Sequence, residues 1–128
     1  MDKSPFPDKP VLLVDDEEAW ILSVRLLLLR KLGINNVLSC TDSRMVKDIL
    51  ISQPCSLILL DYSMPHRNAE QVLEEVKPTH PDIPVIVLTG QDHRDLTERC
   101  MLLGAFDHFI KTTETENILD AIRRALNL

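Results

Sequence analysis

The stretch Leu57-Ile58-Leu59-Leu60-Asp61-Tyr62-Ser63-Met64-Pro65 decides the fold. Four consecutive apolar residues are long enough for a strand buried on both faces, as in a parallel sheet, and too short for an ordinary helix. The run ends abruptly in an acid. In an open parallel sheet, ligands bind outside the carboxyl ends of the strands, so Asp61 would sit at the mouth of that crevice. Taken alone, an acid after an apolar strand is simply the first residue of a loop. The rest of the chain decides between the two.

Toward the N-terminus, Val11-Leu12-Leu13-Val14 is a second apolar run, and it ends in Asp15-Asp16-Glu17-Glu18. Part of this acidic cluster fits simple capping of the helix that follows. That helix offers Ala19, Ile21, Leu22, Leu26, Leu29 and Leu32 as buried positions, and Gly33 supplies a left-handed stop. Residues 36–40 form a weaker strand. Thr41 or Asp42 then caps a helix carrying Met45, Val46, Ile49 and Leu50.

Beyond Pro65, a helix from about Asn68 to Lys77 presents Val72, Leu73 and Val76. Residues 85–88 make a fourth strand ending in Thr89-Gly90. A helix with Leu96, Cys100, Met101 and Leu103 follows and stops at Gly104. Residues 105–110 form a fifth strand ending in Lys111. The last helix starts near Glu114 and carries Ile118, Leu119, Ile122 and Leu126.

Strand and helix thus alternate five times with short connections, which implies an α/β fold with a parallel sheet and right-handed crossovers. The expected architecture is a flavodoxin-like (βα)5 doubly wound five-stranded sheet of order 2-1-3-4-5. In that order the first and third strands flank the switch point, bringing Asp15 and Asp16 beside Asp61. Thr89 and Lys111 end the next two strands, so all five residues line one edge.

The composition fits a single domain. The chain has 128 residues, 45% hydrophobic and 27% charged, which is ordinary for a globular protein with a real core. Residues 1–9, with mixed charges and prolines, read as an extended N-terminal tail, and residues 10–128 as the domain. No apolar run approaches the ~20 residues of a membrane span, and Met1–Pro5 does not read as a signal peptide. Three widely spaced cysteines, Cys40, Cys55 and Cys100, point to free thiols in a reducing, cytoplasmic compartment. His66, His80, His93 and His108 lack metal-ligand spacing. A net charge of −6 argues against direct nucleic-acid binding by this domain.

Converging acids are electrostatically costly. At ~4 Å and an effective dielectric near 20, each like-charge pair costs about 4 kcal/mol. A hard divalent cation relieves that cost, and Mg²⁺ prefers a few carboxylate oxygens with waters and a phosphate. With the Lys111 ammonium and the Thr89 hydroxyl, the set suits phosphoryl transfer, where catalysis is mostly positioning and charge neutralisation. No Gly-rich phosphate loop is present, which weighs against an ATP-binding kinase. No His stands as a base beside a Ser or Cys nucleophile, which weighs against a hydrolase.

These residues together resemble the receiver domain of bacterial two-component response regulators, the CheY-like family, over essentially residues 9–128. The matching pieces are Val-Asp-Asp-Glu at 14–17, Leu-Leu-Asp-Tyr-Ser-Met-Pro at 59–65, Pro-Val-Ile-Val-Leu-Thr-Gly at 84–90 and Gly-Ala-Phe-Asp-His-Phe-Ile-Lys at 104–111. The resemblance implies that Asp61 accepts a phosphoryl group from a phosphohistidine on a sensor histidine kinase or phosphotransfer protein. It implies Asp16 as a direct Mg²⁺ ligand, Asp15 as an outer ligand through water, and the Ser63 backbone carbonyl as completing the protein ligands. Thr89 and Lys111 would each meet a phosphoryl oxygen.

It further implies a switch in which Thr89 moves toward the phosphoryl group and an aromatic residue fills the space behind it. Here that position is His108, a departure. The output surface would be the fourth helix, fifth strand and fifth helix, a candidate homodimer face on which Asp107 could pair with Arg123 or Arg124. Two more departures concern the backbone. Thr112 follows Lys111 where the family has proline, so a trans Lys111–Thr112 bond is expected, since a cis one costs roughly 2.5–4 kcal/mol. Ala69 stands where the family has glycine and should adopt a right-handed conformation. Ser63 and Gln91 occupy positions that tune dephosphorylation in the family.

The expected protein is therefore a phosphoacceptor that catalyses only its own modification and is no turnover enzyme on an outside metabolite. It would be a single-domain regulator, or the receiver of a longer chain, in which case transcription regulation is the expected output. Two rivals differ in kind. An aspartyl-nucleophile phosphatase wants a second acid two residues beyond Asp61, where Ser63 stands. A binding-only pseudo-receiver usually lacks some of the acids or the lysine, and here all are present.

Overall fold

Each apolar run becomes a strand because both of its faces are covered. The computed structural model describes residues 4–92 and 94–128; the first three residues of the expected tail and His93 lie outside them. Strand β1 (Val11–Val14), helix α1 (Glu18–Leu32), β2 (Val37–Cys40), α2 (Val46–Ser52), β3 (Leu57–Asp61), α3 (Ala69–Val76), β4 (Val85–Thr89), α4 (Arg94–Leu102), β5 (Asp107–Ile110) and α5 (Thr115–Leu126) follow in order. All pairings are parallel and the sheet order is β2-β1-β3-β4-β5. The expected doubly wound sheet is present.

Alternation along each strand divides the core into two layers. Leu12, Val14, Ile58, Leu60, Val85 and Val87 pack with Val46, Leu50, Val72, Leu73, Val76 and Cys100 of α2, α3 and α4. Val11, Leu13, Leu57, Leu59, Ile86 and Leu88 face α1 and α5 through Ile21, Leu28, Leu119 and Ile122. Each fully buried Leu or Ile contributes roughly 1.5–3 kcal/mol, so this double layer is the main source of stability. Cys40, Cys55 and Cys100 are free, buried and all in the first layer. Burial pushes their thiols up, Cys100 to about 11.

Local signals set most boundaries. Asn68 caps α3 through a reciprocal pair: Gln71 N–H donates to the Asn68 side chain, and the Gln71 side chain accepts from Asn68 N–H. Gly33 and Gly104 take positive φ, of 68° and 105°, at the ends of α1 and α4. Ala69 opens α3 in the right-handed conformation, as expected. Among the described residues the only cis peptide is Phe6–Pro7, so the Lys111–Thr112 bond is trans. The described part of the tail is strapped down: the Phe6 carbonyl accepts from Asn35 and Asn36 N–H, and the Asn36 amide donates to the Pro7 carbonyl at 3.0 Å. No described helix is long and apolar enough to cross a membrane.

The expected inner face of α1 needs correction. Leu22, Leu26 and Leu29 are exposed, at 59%, 42% and 45%, and Ala19 is exposed as well. The inward stripe is Trp20, Ile21, Val24, Leu27, Leu28 and Leu32. Both stripes have helical spacing, because residues 26–29 are four consecutive leucines, so periodicity alone does not choose between them. Burying Trp20 removes more apolar area and chooses the second. Met45 is exposed because it lies in a 3-10 turn, Ser43–Met45, capped by Asp42, and not on the face of α2. Met101 is also exposed, beside the buried Thr97 and Cys100 that α4 turns inward.

This correction has a direct check. Leu28→Ala should cost about 2–5 kcal/mol in urea unfolding, as a buried large-to-small change does. Leu26→Ala should stay within about 0.5 kcal/mol of wild type, as surface changes do. Equal losses at the two positions would return the expected face.

Candidate functional site

The carboxyl ends of β1, β3, β4 and β5 meet at one edge, and ladder hydrogen bonds fix each of them there. Asp15 N–H donates to the Cys40 carbonyl at 3.1 Å, Tyr62 N–H to Leu88 at 2.8 Å and Lys111 N–H to Thr89 at 2.7 Å. Asp61 lies opposite Leu88 in the β3–β4 register. Position in the site is thus set by sheet pairing, before any side chain is considered.

Carboxylate oxygens of Asp15, Asp16 and Asp61 lie within 4.8 Å of one another. Asp15 and Asp61 are buried, at 3% and 6% exposure, while Asp16 reaches solvent. The Lys111 ammonium donates to Asp15 Oδ2 at 2.7 Å and stands 3.4 Å from Asp61 Oδ1 and 3.9 Å from Glu17 Oε1. The same ammonium stands over the Trp20 ring, with Nζ 4.8 Å from its centroid. Asp61, Ser63, Thr89 and Lys111 line a single cavity of about 320 Å³, together with Glu17, Tyr62, Gly90 and Gln91.

One ammonium does not balance three acids. Burial pushes the Asp61 carboxyl up to about 6, and the charge of Asp15 pushes the same way; Lys111 opposes both, and Asp16 adds to the rise. Burial also works against the Lys111 charge, but the hydrogen bond to Asp15 and the charge of Asp61 outweigh it and hold the ammonium above its ordinary value. A hard divalent cation fits this donor set: three oxygen ligands close together, with too little positive charge of their own.

The expected residues are brought together, with three refinements. The Thr89 hydroxyl donates to the Gln91 carbonyl at 2.6 Å, so its hydrogen is directed at its own loop. His108 is half-buried on β5 opposite Val87, and alternation with Phe109 turns it toward α4. The acids before α1 contribute little to capping: Glu17 at the N-cap makes no side-chain cap bond, and Asp15 Oδ1 instead accepts from Glu17 N–H at 2.9 Å. On the far face, Arg124 pairs with Asp107 at 3.3 Å, while Arg123 pairs with Asp120 at 2.6 Å.

Sequence reading missed a chain of contacts that starts beside Asp61. The Tyr62 hydroxyl donates to Glu70 Oε2, and Arg99 Nε donates to Glu70 Oε1 at 2.8 Å. Arg99 holds the Glu70 carboxyl below its usual range, and the Tyr62 hydrogen bond acts the same way. The loop after Asp61 is thereby tied to α3 and α4. Glu70 and Arg99 are 29 residues apart, and no local pattern joins them. The same loop holds His66 at φ 72°, pinned by the buried Ser43, whose hydroxyl donates to the Pro65 carbonyl and accepts from Arg67 N–H.

The raised Asp61 carboxyl has a consequence for stability in metal-free protein. Between the ordinary value of 3.8 and about 6, the folded state holds a proton that the unfolded state releases. Asp61 therefore destabilises the fold progressively as pH rises through that window, by about 3 kcal/mol at its upper end. In EDTA, the stability advantage of Asp61→Asn over wild type should grow by about that much from pH 4 to pH 8. A constant difference across this range would refute the assignment.

Comparison with known proteins agrees with this geometry. The family model of the response regulator receiver domain matches residues 11–123. Response regulator protein TodT of Pseudomonas putida is 29% identical over 118 residues, covering 92% of this chain and 51% of that protein. The chain thus spans about half the length of that relative. Sporulation initiation phosphotransferase F of Bacillus subtilis is 27% identical over 124 residues, covering 94% of this chain and 96% of that protein. The crystal structure of a response regulator receiver domain protein from Clostridium thermocellum superposes with a TM-score of 0.83 at 27% identity, covering 93% of this chain and 94% of that one. With strand order, acidic edge and family match in agreement, the chain belongs to the response regulator receiver domains of two-component signalling.

Proposed function

We propose that this domain accepts a phosphoryl group on Asp61 in a Mg²⁺-dependent step. The donor is a phosphohistidine of a sensor histidine kinase or phosphotransfer protein. The observation that carries the reading is the buried Asp61, 3.4 Å from Lys111 and clustered with Asp15 and Asp16. An Asp61 carboxylate oxygen attacks phosphorus, the donor's P–N bond breaks, and its electron pair returns to the imidazole nitrogen. Asp15, Asp16, Asp61 and the Ser63 carbonyl would hold the metal. When bound, the cation neutralises charge on the acids and on the phosphoryl oxygens.

The chain's own groups do the rest. Lys111, already held at the site by Asp15, meets one phosphoryl oxygen. Thr89 meets another once its hydroxyl leaves the Gln91 carbonyl, and that movement is the switch, with His108 responding on the α4 side. The changed surface is that of α4, β5 and α5, where Leu102 is 87% exposed and Met101 and Phe106 are partly exposed. Such a face suits an effector or a second copy of the chain. Where an effector domain accompanies the receiver, transcription regulation is the output. Loss of phosphate is catalysed by the same site, so no outside metabolite is turned over. A cytoplasmic setting goes with such a donor and with three unpaired thiols.

Intact mass after incubation with acetyl phosphate tests the reading. Wild type should gain one phosphoryl group only with Mg²⁺, and Asp61→Asn should gain none. Labelling of Asp61→Asn, or labelling of wild type in EDTA, would refute it.

A further inference from the structure

A second cavity, of about 240 Å³, opens between α1 and α5 and shares only Lys111 with the cavity at Asp61. Val24 and Leu28 of α1, Ile118 and Ile122 of α5, and Leu59 and Leu88 of the sheet form its walls. An apolar cavity of ~150 Å³ is enough to hold a benzene ring, so this one has room for a single ring with a short substituent. It is smaller than the ~300 Å³ at which cavities begin to take larger ligands.

Charge narrows the chemistry further. Among the described residues lining the cavity, Lys111 is the only charged one, and its ammonium is directed to Asp15 and Asp61, at 2.7 and 3.4 Å. An anion would have to compete with two carboxylates for that ammonium, and a cation would meet it directly. An uncharged molecule meets neither obstacle. Ser23, Thr113 and Thr115 supply hydroxyls at the lining, enough to orient one polar substituent.

We propose that the α1–α5 cavity is a binding site for a small uncharged amphipathic molecule, one ring in size with a single hydroxyl or carbonyl. Trp20 connects it to the acidic edge. Its ring lines this cavity and also the narrow space that reaches Asp15 and Asp61, and it lies 4.8 Å from the Lys111 ammonium. Occupancy is therefore felt at Trp20 and Lys111. The proposal does not depend on phosphoryl transfer, so its test omits both Mg²⁺ and phosphoryl donor.

Cyclohexanol is a suitable probe, with cyclohexanecarboxylate and cyclohexylammonium as charged counterparts. Trp20 is the only tryptophan in the chain, so its emission reports on the cavity directly, alongside amide resonances. Cyclohexanol should produce saturable shifts confined to α1, α5, the loop of Lys111 and Thr113, and Leu59 and Leu88 of the sheet. The charged probes should bind at least about tenfold more weakly. Val24→Phe and Ile118→Phe, each filling the cavity, should weaken cyclohexanol binding by a similar factor. Absence of saturation with wild type, or shifts scattered over the surface, would overturn the proposal. Equal binding of the charged probes, or wild-type affinity in folded filling variants, would overturn it too.

Discussion

The ammonium of Lys111 is the hinge of the whole arrangement. It comes from the residue directly after β5, and it joins acids at the ends of the first and third strands. Asp15 and Lys111 are 96 residues apart in the chain and 2.7 Å apart in space. The β2-β1-β3-β4-β5 order sets β1 beside β3 and leaves β4 and β5 to follow on the same side, so their carboxyl ends share one edge. The site is thus a product of topology, and its charge imbalance is the cost of that topology. One cation among several carboxylates leaves Asp61 short of stabilisation for its ionised form, which is the condition a metal ion would relieve.

The two layers around the sheet have different duties. The layer of α2, α3 and α4 carries the mechanical link from the loop after Asp61, through Tyr62, Glu70 and Arg99, to α4. These contacts tie the loop after Asp61 to α3 and α4. The layer of α1 and α5 carries Trp20, which lies against Lys111 on one side and borders the apolar cavity on the other. The site therefore has a polar connection toward one layer and an aromatic one toward the other.

The strands and the residues at their ends were readable from sequence because the signal is local: a short apolar run closed by an acid, a threonine or a lysine. Strand order followed from a rule of connection, and the edge residues followed from the order. What could not be read depended on choices that sequence leaves degenerate. Four leucines in a row gave α1 two equivalent stripes, and burial of Trp20 chose the less obvious one. Met45 departs from the expected face because a 3-10 turn shifts it off the helix. The Tyr62–Glu70–Arg99 contacts and the Ser43 pin on the 65–67 turn join residues with no common periodicity, so they appear only once the chain is folded.

The positions of the three thiols carry a different kind of information. Cys40, Cys55 and Cys100 sit in one layer, none is bonded to another, and burial holds each in its neutral form. A thiol in that state reacts with an alkylating reagent only when the structure around it opens. The protein thus contains three natural gauges of local breathing, on β2, before β3 and on α4. All three face away from the α1–α5 layer, so their reactivity would register loosening on the α4 side while remaining blind to events around Trp20.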